Sequence, residues 1–205
     1  MNKAAAHIAS ADPVLGAFIA AYGPLKRARP EFTELYPALL SAVAHQQLHA
    51  RAAQAMLGRL QGLSSGAMPA PDVLLALPDE VLRGCGFSAG KSAALRDVAA
   101  KAANGTIPSR ARALRLADET LIERLTTIRG VGRWTVEMLL IFTLRRPDVL
   151  PVDDFGVREG YRRLHGLEAQ PKPRALAALG EAFAPYRSTA ALYFWKAADA
   201  GKGKK

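Results

Sequence analysis

Thiol chemistry is almost absent from this chain: its 205 residues include one cysteine, Cys85, set between glycines in RGCGF. A single thiol can neither close an internal disulfide nor hold an iron–sulfur cluster, which needs several thiolates, so Cys85 reads as a buried, inert side chain. Long apolar runs are missing as well, and nothing approaches the ~20 residues needed to cross a bilayer. The start, MNKAAAHIASADP, lacks the hydrophobic core and cleavage pattern of a secretory leader. Strand patterning is a third absence, because Val and Ile never cluster with a period of two over a strand's length. Acidic residues are scarce beside basic ones, and 28 Lys and Arg against 18 Asp and Glu leave a net charge of +10. Half the residues are nevertheless apolar, which excludes disorder for the body of the chain. These observations describe a soluble, intracellular, all-α protein with a real core. Its excess charge suits a polyanion, nucleic acid before membrane, since no strongly basic amphipathic surface helix stands out.

Helix signals follow one another along the chain. Asp12-Pro13 opens a first helix as cap and first-turn proline, and Gly23 closes it. From Tyr36 to Leu60 the apolar periodicity is unbroken, and periodicity alone continues one helix through HQQLHARAAQ. Pro78 introduces a short helix ending at Gly84. Ser88 caps a helix running to Asn104-Gly105, and Asp118 is placed to cap the next. A helix to about Arg146 follows IRGVGRWT, then the extended piece PDVLPVD, then helices near 154–165, 173–184 and 187–199. Pro147 to Val152 is the clearest connection between two helical lobes. The tail 201–205, GKGKK, reads as a disordered end.

Gly130 and Gly132 interrupt good helix on both sides. Glycines one residue apart permit a tight reversal between two helices, and the second helix then starts near Gly132-Arg133 with unpaired amides and a positive dipole end. That combination suits a phosphate. Arg124, Arg129 and Arg133 add charge, while Leu125, Ile128 and Val131 are placed to pin the helices together. An ordinary αα-turn fits the same residues, and a dinucleotide fold fits them less well, because no strand precedes the glycines and no third glycine follows at the required spacing. Further on, Asp153-Asp154 stands between the extended piece and a helix, which suits an N-cap, a functional carboxylate, or one of each. His45 and His49 have the i, i+4 spacing of a zinc pair, but Gln46 replaces the glutamate that such a motif requires.

The run L-x-x-I-x-G-V-G-x-W-T from Leu125 to Thr135, followed by V-D-D at 152–154, resembles the helix-hairpin-helix DNA glycosylases with a Gly-Pro-Asp loop. The branch it resembles is the alkylpurine, or 3-methyladenine DNA glycosylase II, branch. Supporting matches are His45-Gln46-Gln47-Leu48, Gly86-Phe87-Ser88-x-x-Lys91 and Arg187-Ser188 with Trp195, so the resemblance runs from about Phe32 to Trp195.

The resemblance implies a two-lobed helical HhH-GPD fold with its active site in the cleft between lobes. One lobe would span about 32–147 and carry the hairpin 126–134; the other would combine 1–31 with 148–199, leaving 200–205 as a tail. It also implies catalysis by Asp154, with Asp153 in support. A fixed anion suits the positive charge that develops on the sugar when the glycosidic bond breaks, and an alkylated purine leaves without a strong general acid. Trp134 and Trp195 would stack on the cationic base, joined in the pocket by Met138, Phe155 and Gln47. Met138 departs from a tyrosine seen in some members, and His49 from a small capping residue. Leu48 would enter the minor groove and fill the gap left by the flipped nucleotide. Gly130, Gly132, Arg133 and Lys91 would contact DNA, with Lys91 facing solvent on the helix opened by Ser88. Carbonyls of Thr126, Ile128 and Val131 would hold a structural Na+ or K+, with no other cofactor. The implied partner is damaged double-stranded DNA, bound by a monomer with no membrane attachment. Backbone-cutting relatives place a Schiff-base lysine where Trp134 stands, which argues against a bifunctional glycosylase-lyase here. A non-catalytic hairpin module remains the other alternative.

Overall fold

This computed structural model describes residues 2–200; all its regular elements are helical, and no strand occurs among the described residues. In chain order the helices are α1 (Lys3–Ala11), α2 (Pro13–Tyr22), α3 (Leu35–His45), α4 (Ala50–Gly62), α5 (Pro71–Ala76), α6 (Asp79–Gly84) and α7 (Ala89–Ala103). They are followed by α8 (Arg110–Ala113), α9 (Asp118–Leu125), α10 (Arg133–Met138), α11 (Phe155–Leu164), α12 (Pro173–Gly180) and α13 (Arg187–Ala200). A π-helical turn, Leu139–Thr143, prolongs α10, and a 3-10 turn, Glu181–Phe183, prolongs α12. Two compact units result: a continuous one, Pro30–Leu144, and a discontinuous one formed by the chain up to Arg29 and from Arg145. The tail expected at 201–205 lies outside the described residues, while Ala200 is the last residue of α13.

In the discontinuous unit, Asp12 does the capping that its position suggests: its Oδ1 accepts from the Leu15 amide at 3.0 Å and so starts α2. It also ends a helix that the sequence reading passed over. In α1, Asn2 is the cap, and Ala5 and Ile8 are the buried residues. An alanine-rich helix with one large apolar residue leaves almost no periodic trace. Its closeness to α2 is visible at Gly16, where a Cβ would lie 2.7 Å from that of Ala9. The core of this unit gathers Ile8, Leu15, Ile19, Val157, Tyr161, Leu176, Phe183 and Phe194. Packing is tightest at Gly160 of α11, where a Cβ would stand 1.9 Å from the Phe194 carbonyl oxygen on α13.

The extended segment before α11 is fastened to the start of α13. Arg187 donates to both Asp148 oxygens, Nε to Oδ1 and Nη2 to Oδ2, each at 2.8 Å. These bonds hold the Asp148 carboxyl below the ordinary carboxylate range. The Val149 amide donates to Ser188 Oγ at 2.9 Å, and the Ser188 amide to the Pro147 carbonyl at 3.0 Å. The polypeptide leading to Asp154 is thus held by side chains as well as by its own backbone.

The continuous unit corrects the sequence reading in several places. The periodic run from Tyr36 to Leu60 is two helices, because α3 stops at His45 and α4 begins at Ala50. Gln47 in the gap adopts φ +57°, a conformation that no helix can propagate. Asp118 is not a cap: Ala117 occupies that position, and Asp118 lies with Glu119 in the first turn, where negative charge meets the positive helix end. The helix after the hairpin ends at Thr143 rather than Arg146, with its last turn π-helical and Leu144 as its C-cap. Short α5 was not foreseen; Arg96 fastens its C-terminal end to α6, donating to the Leu75 carbonyl at 3.0 Å and to Asp79 at 2.7 Å.

Candidate functional site

The hairpin joins α9 to α10, and Leu125, Ile128 and Val131 are buried beneath it as expected. Its two glycines have different reasons to be there. Gly130 has φ +75°, which a β-carbon disfavours, whereas Gly132, the N-cap of α10, sits at φ −93° and ψ 171°, open to any residue. A Cβ at Gly132 would meet nothing within 4 Å. The amides of Gly130, Gly132 and Arg133 donate no hydrogen bond among the described residues. The turn therefore presents backbone donors at an uncluttered surface, as an anion site requires. Gly130→Ala is expected to cost about 1–2 kcal/mol through its left-handed φ, since the added methyl would make only ordinary contacts, 3.6 Å from Ala94 Cβ and 3.9 Å from Gln46 Oε1. That corresponds to a melting temperature lower by roughly 2–8 °C, and an unchanged melt would contradict the assignment.

The basic residues around the turn are more engaged than their positions suggest. Arg133 donates to Glu119 on α9 and, through Nε, to Glu137 at 3.2 Å, so it bridges the two hairpin helices. Glu119, hydrogen-bonded to the Arg133 guanidinium, is held below the ordinary carboxylate range. Arg124 donates to the Gly105 and Thr106 carbonyls. The Arg129 amide donates to Asp97 at 2.7 Å, and its side chain is exposed. Lys91 does not face solvent. Its ammonium donates to the carbonyls of Val43, Ala44 and Gln46 at the end of α3, at 3.1, 2.6 and 2.8 Å.

Those contacts shape the gap between α3 and α4, which places Gln47 and Leu48 at the surface; Leu48 is 41% exposed. Beside the gap is a recess of about 550 Å³, lined by Phe32, His45, Gln47, Trp134, Met138 and Phe142 among others. Trp134, Met138 and Gln47 thus come together as expected. Phe142 was missed, and the π turn explains both its position and the miss. At 100° per residue, Phe142 would lie about 80° round the helix from Trp134; one residue absorbed by a π turn reduces this to about 20° in the other sense. Gln46, whose partner in the motif drew attention away from it, donates through Nε2 to the Gly130 carbonyl at 2.8 Å.

The carboxylate belongs to the discontinuous unit. Asp154 is the N-cap of α11, and its Oδ1 accepts from the Val157 amide at 2.8 Å and from Trp195 Nε1 at 2.7 Å. The indole can approach because position 156 is glycine; a Cβ there would lie 2.7 Å from Trp195 Cδ1. Trp195 therefore touches the carboxylate directly, a contact between residues 41 positions apart that no local motif announces. Asp153 is exposed, and Phe155 is 70% exposed. A carboxylate at a helix N-terminus, fixed by two donors on one oxygen, is a preorganised negative charge.

The turn also allows a test of the ion that the resemblance implies. The Ile128 carbonyl accepts from the Val131 amide at 3.0 Å, while the carbonyls of Thr126 and Val131 accept no backbone hydrogen bond among the described residues. Neutral oxygen donors of this kind fit a hard monovalent cation.

Known proteins are similar to this chain in sequence and fold. Residues 40–185 match the family described as HhH-GPD superfamily base excision DNA repair protein. DNA-3-methyladenine glycosylase 1 of Schizosaccharomyces pombe is 43% identical over 198 residues, covering 96% of this chain and 87% of that one. A solved structure of the S. pombe 3-methyladenine DNA glycosylase in complex with abasic DNA matches with a TM-score of 0.86 and 41% identity, covering both chains fully. A DNA-3-methyladenine glycosidase from Bacillus halodurans matches with a TM-score of 0.89 and 34% identity, over 99% of this chain and 92% of that one. With the family matched across most of its length, the chain belongs to the HhH-GPD superfamily of base excision DNA repair proteins.

Proposed function

We propose that this protein is a monofunctional DNA glycosylase that takes alkylated purines, such as 3-methyladenine or 7-methylguanine, out of duplex DNA and hydrolyses their N-glycosidic bond. The observation that carries the reading is the Asp154 carboxylate, fixed by Val157 and Trp195 at the start of α11. Its charge stabilises the oxocarbenium character of the sugar as the bond breaks, and the same group orients the attacking water. The base departs neutral because alkylation had already made it cationic. Trp134, 48% exposed in its recess, offers an electron-rich face to such a cation. Met138 and Gln47 line the same recess, and in the discontinuous unit Trp195 stands against Asp154 with Phe155 next to it in the chain.

The free amides of Gly130, Gly132 and Arg133 grip a phosphate, and Leu48 fills the space of the extruded nucleotide. Carbonyls of Thr126, Ile128 and Val131 would hold a Na+ or K+ whose contribution is to stiffen the turn. Asp153 supports its neighbour from an exposed position. The protein works as a monomer on damaged double-stranded DNA, in whichever compartment holds the genome. No described helix is long and apolar enough to cross a membrane. The names of the relatives support the substrate class.

The test is base release from a panel of duplexes carrying methylated, etheno- and deaminated purines. Release of a methylated purine with intact abasic sites left behind is expected, and borohydride should trap no covalent adduct. Salt-dependent duplex binding without release from any lesion would establish the non-catalytic reading instead. A trapped adduct would establish a lyase.

A further inference from the structure

Lys91 occupies a place where the sequence suggests an exposed cation, yet it is directed at the end of another helix. In an uninterrupted α3, the carbonyls of Val43, Ala44 and Gln46 would receive the amides of Gln47, Leu48 and Ala50. Here one ammonium, with three donors and no acceptor, replaces all three, at 3.1, 2.6 and 2.8 Å. The residues of the gap have the apolar periodicity of a continuing helix, so two backbone arrangements compete at this point. The open one requires Gln47 at φ +57°. A second bond acts from the other side of the loop, where Gln46 Nε2 reaches the Gly130 carbonyl at 2.8 Å. Hairpin, loop and α7 are therefore joined in series through Gln46 and Lys91. Burial of the ammonium pushes its pKa down from the usual lysine value, as expected for a cation taken partly out of water.

We infer that Lys91 is a positioning residue: it keeps α3 closed off at His45 and, with Gln46, ties the 46–49 loop to the hairpin, so that Leu48 stands ready before DNA arrives. This rests on the glycosylase reading of Leu48 and departs from a phosphate-binding role for Lys91, whose N–H groups are already committed. A preformed loop spares the complex the ordering cost of making it during binding.

Three variants of the full-length protein test this: Lys91→Met, Gln46→Ala, and Lys91→Cys in a Cys85→Ala background. The last is treated with 2-bromoethylamine, which rebuilds an ammonium of nearly the original reach. On methylated duplex DNA, Lys91→Met should lose about 10- to 100-fold in base-release rate, with the slope of log binding constant against log salt unchanged. Gln46→Ala, at a half-exposed position outside the core, should lose rate in the same direction. Aminoethylation of Lys91→Cys should restore it.

A salt slope shallower by about one in Lys91→Met would identify a phosphate contact and overturn the inference. So would full activity in either Lys91→Met or Gln46→Ala, or failure of the aminoethylated protein to recover. Hydrogen exchange of the free proteins separates this from the function itself. If the unmodified protein releases no methylated base, the glycosylase reading fails, and Lys91 is judged by exchange alone. Altered exchange confined to the amides of 46–50 in Lys91→Met upholds the positioning role, and unaltered exchange there refutes it.

Discussion

Asp154→Asn is expected to bind alkylated duplex DNA almost normally while releasing base at least about 10³-fold more slowly, near the upper end of what removing one preorganised electrostatic group costs. Asparagine has the same shape, and its side-chain oxygen can still accept from Val157 and from Trp195, the two donors on Asp154 Oδ1. It is also as good an N-cap as aspartate, so α11 should start where it does now. What disappears is the charge. The measurement pairs single-turnover base release with duplex affinity and a thermal melt. A variant that keeps its melting temperature and affinity but loses the rate locates the chemistry at this carboxylate. A variant that keeps the rate as well would remove Asp154 from the mechanism and, with it, the hydrolytic assignment.

The second large effect is on stability. Gly160→Ala would place a methyl 1.9 Å from the Phe194 carbonyl oxygen, a backbone atom that has no rotamer to escape into. α11 and α13 must part along their contact, and Val157, Tyr161 and Phe194 in the core move with them. Overpacking usually costs about 1–3 kcal/mol; with backbone on the receiving side, about 3 kcal/mol or more is expected. That is a fall in melting temperature of roughly 6–12 °C. Gly90→Ala is the matching control. A Cβ at that position in α7 would meet nothing within 4 Å, so alanine should stabilise by about 0.5–1 kcal/mol through its better helix propensity. Equal melting of the two variants would contradict a crossing this close at Gly160.

What could be read from the sequence is what the chain encodes locally. Asp12 and Ser88 cap helices because each side chain meets an amide three residues on. Gly130 makes a turn because its φ demands it, and Asp154 starts α11 for the same local reason as the caps. The hairpin and the carboxylate, the two elements the candidate site depends on most, are of this kind. The misreadings have distant causes. Lys91 ends α3 from 45 to 48 positions away, and nothing between them in the chain announces it. Arg133 resembles a spare cation until Glu119, 14 residues earlier, is placed opposite it. Trp195 meets Asp154 across 41 residues, by way of a glycine whose missing side chain is visible only when two helices cross. Helix α1 escaped notice for another reason: alanine forms helix well but hardly marks a face.

The π turn at Leu139–Thr143 makes the wall of the recess depend on length as well as on identity. The turn absorbs one residue, so deleting one within it would restore an ordinary helix and keep the following positions in phase with Trp134, whereas deleting one between Trp134 and the turn would swing them by about 100°. The first change leaves Phe142 on the face of Trp134; the second takes it away. Which residue is removed thus decides whether the aromatic wall survives, an effect of chain length that substitution at any one position does not have.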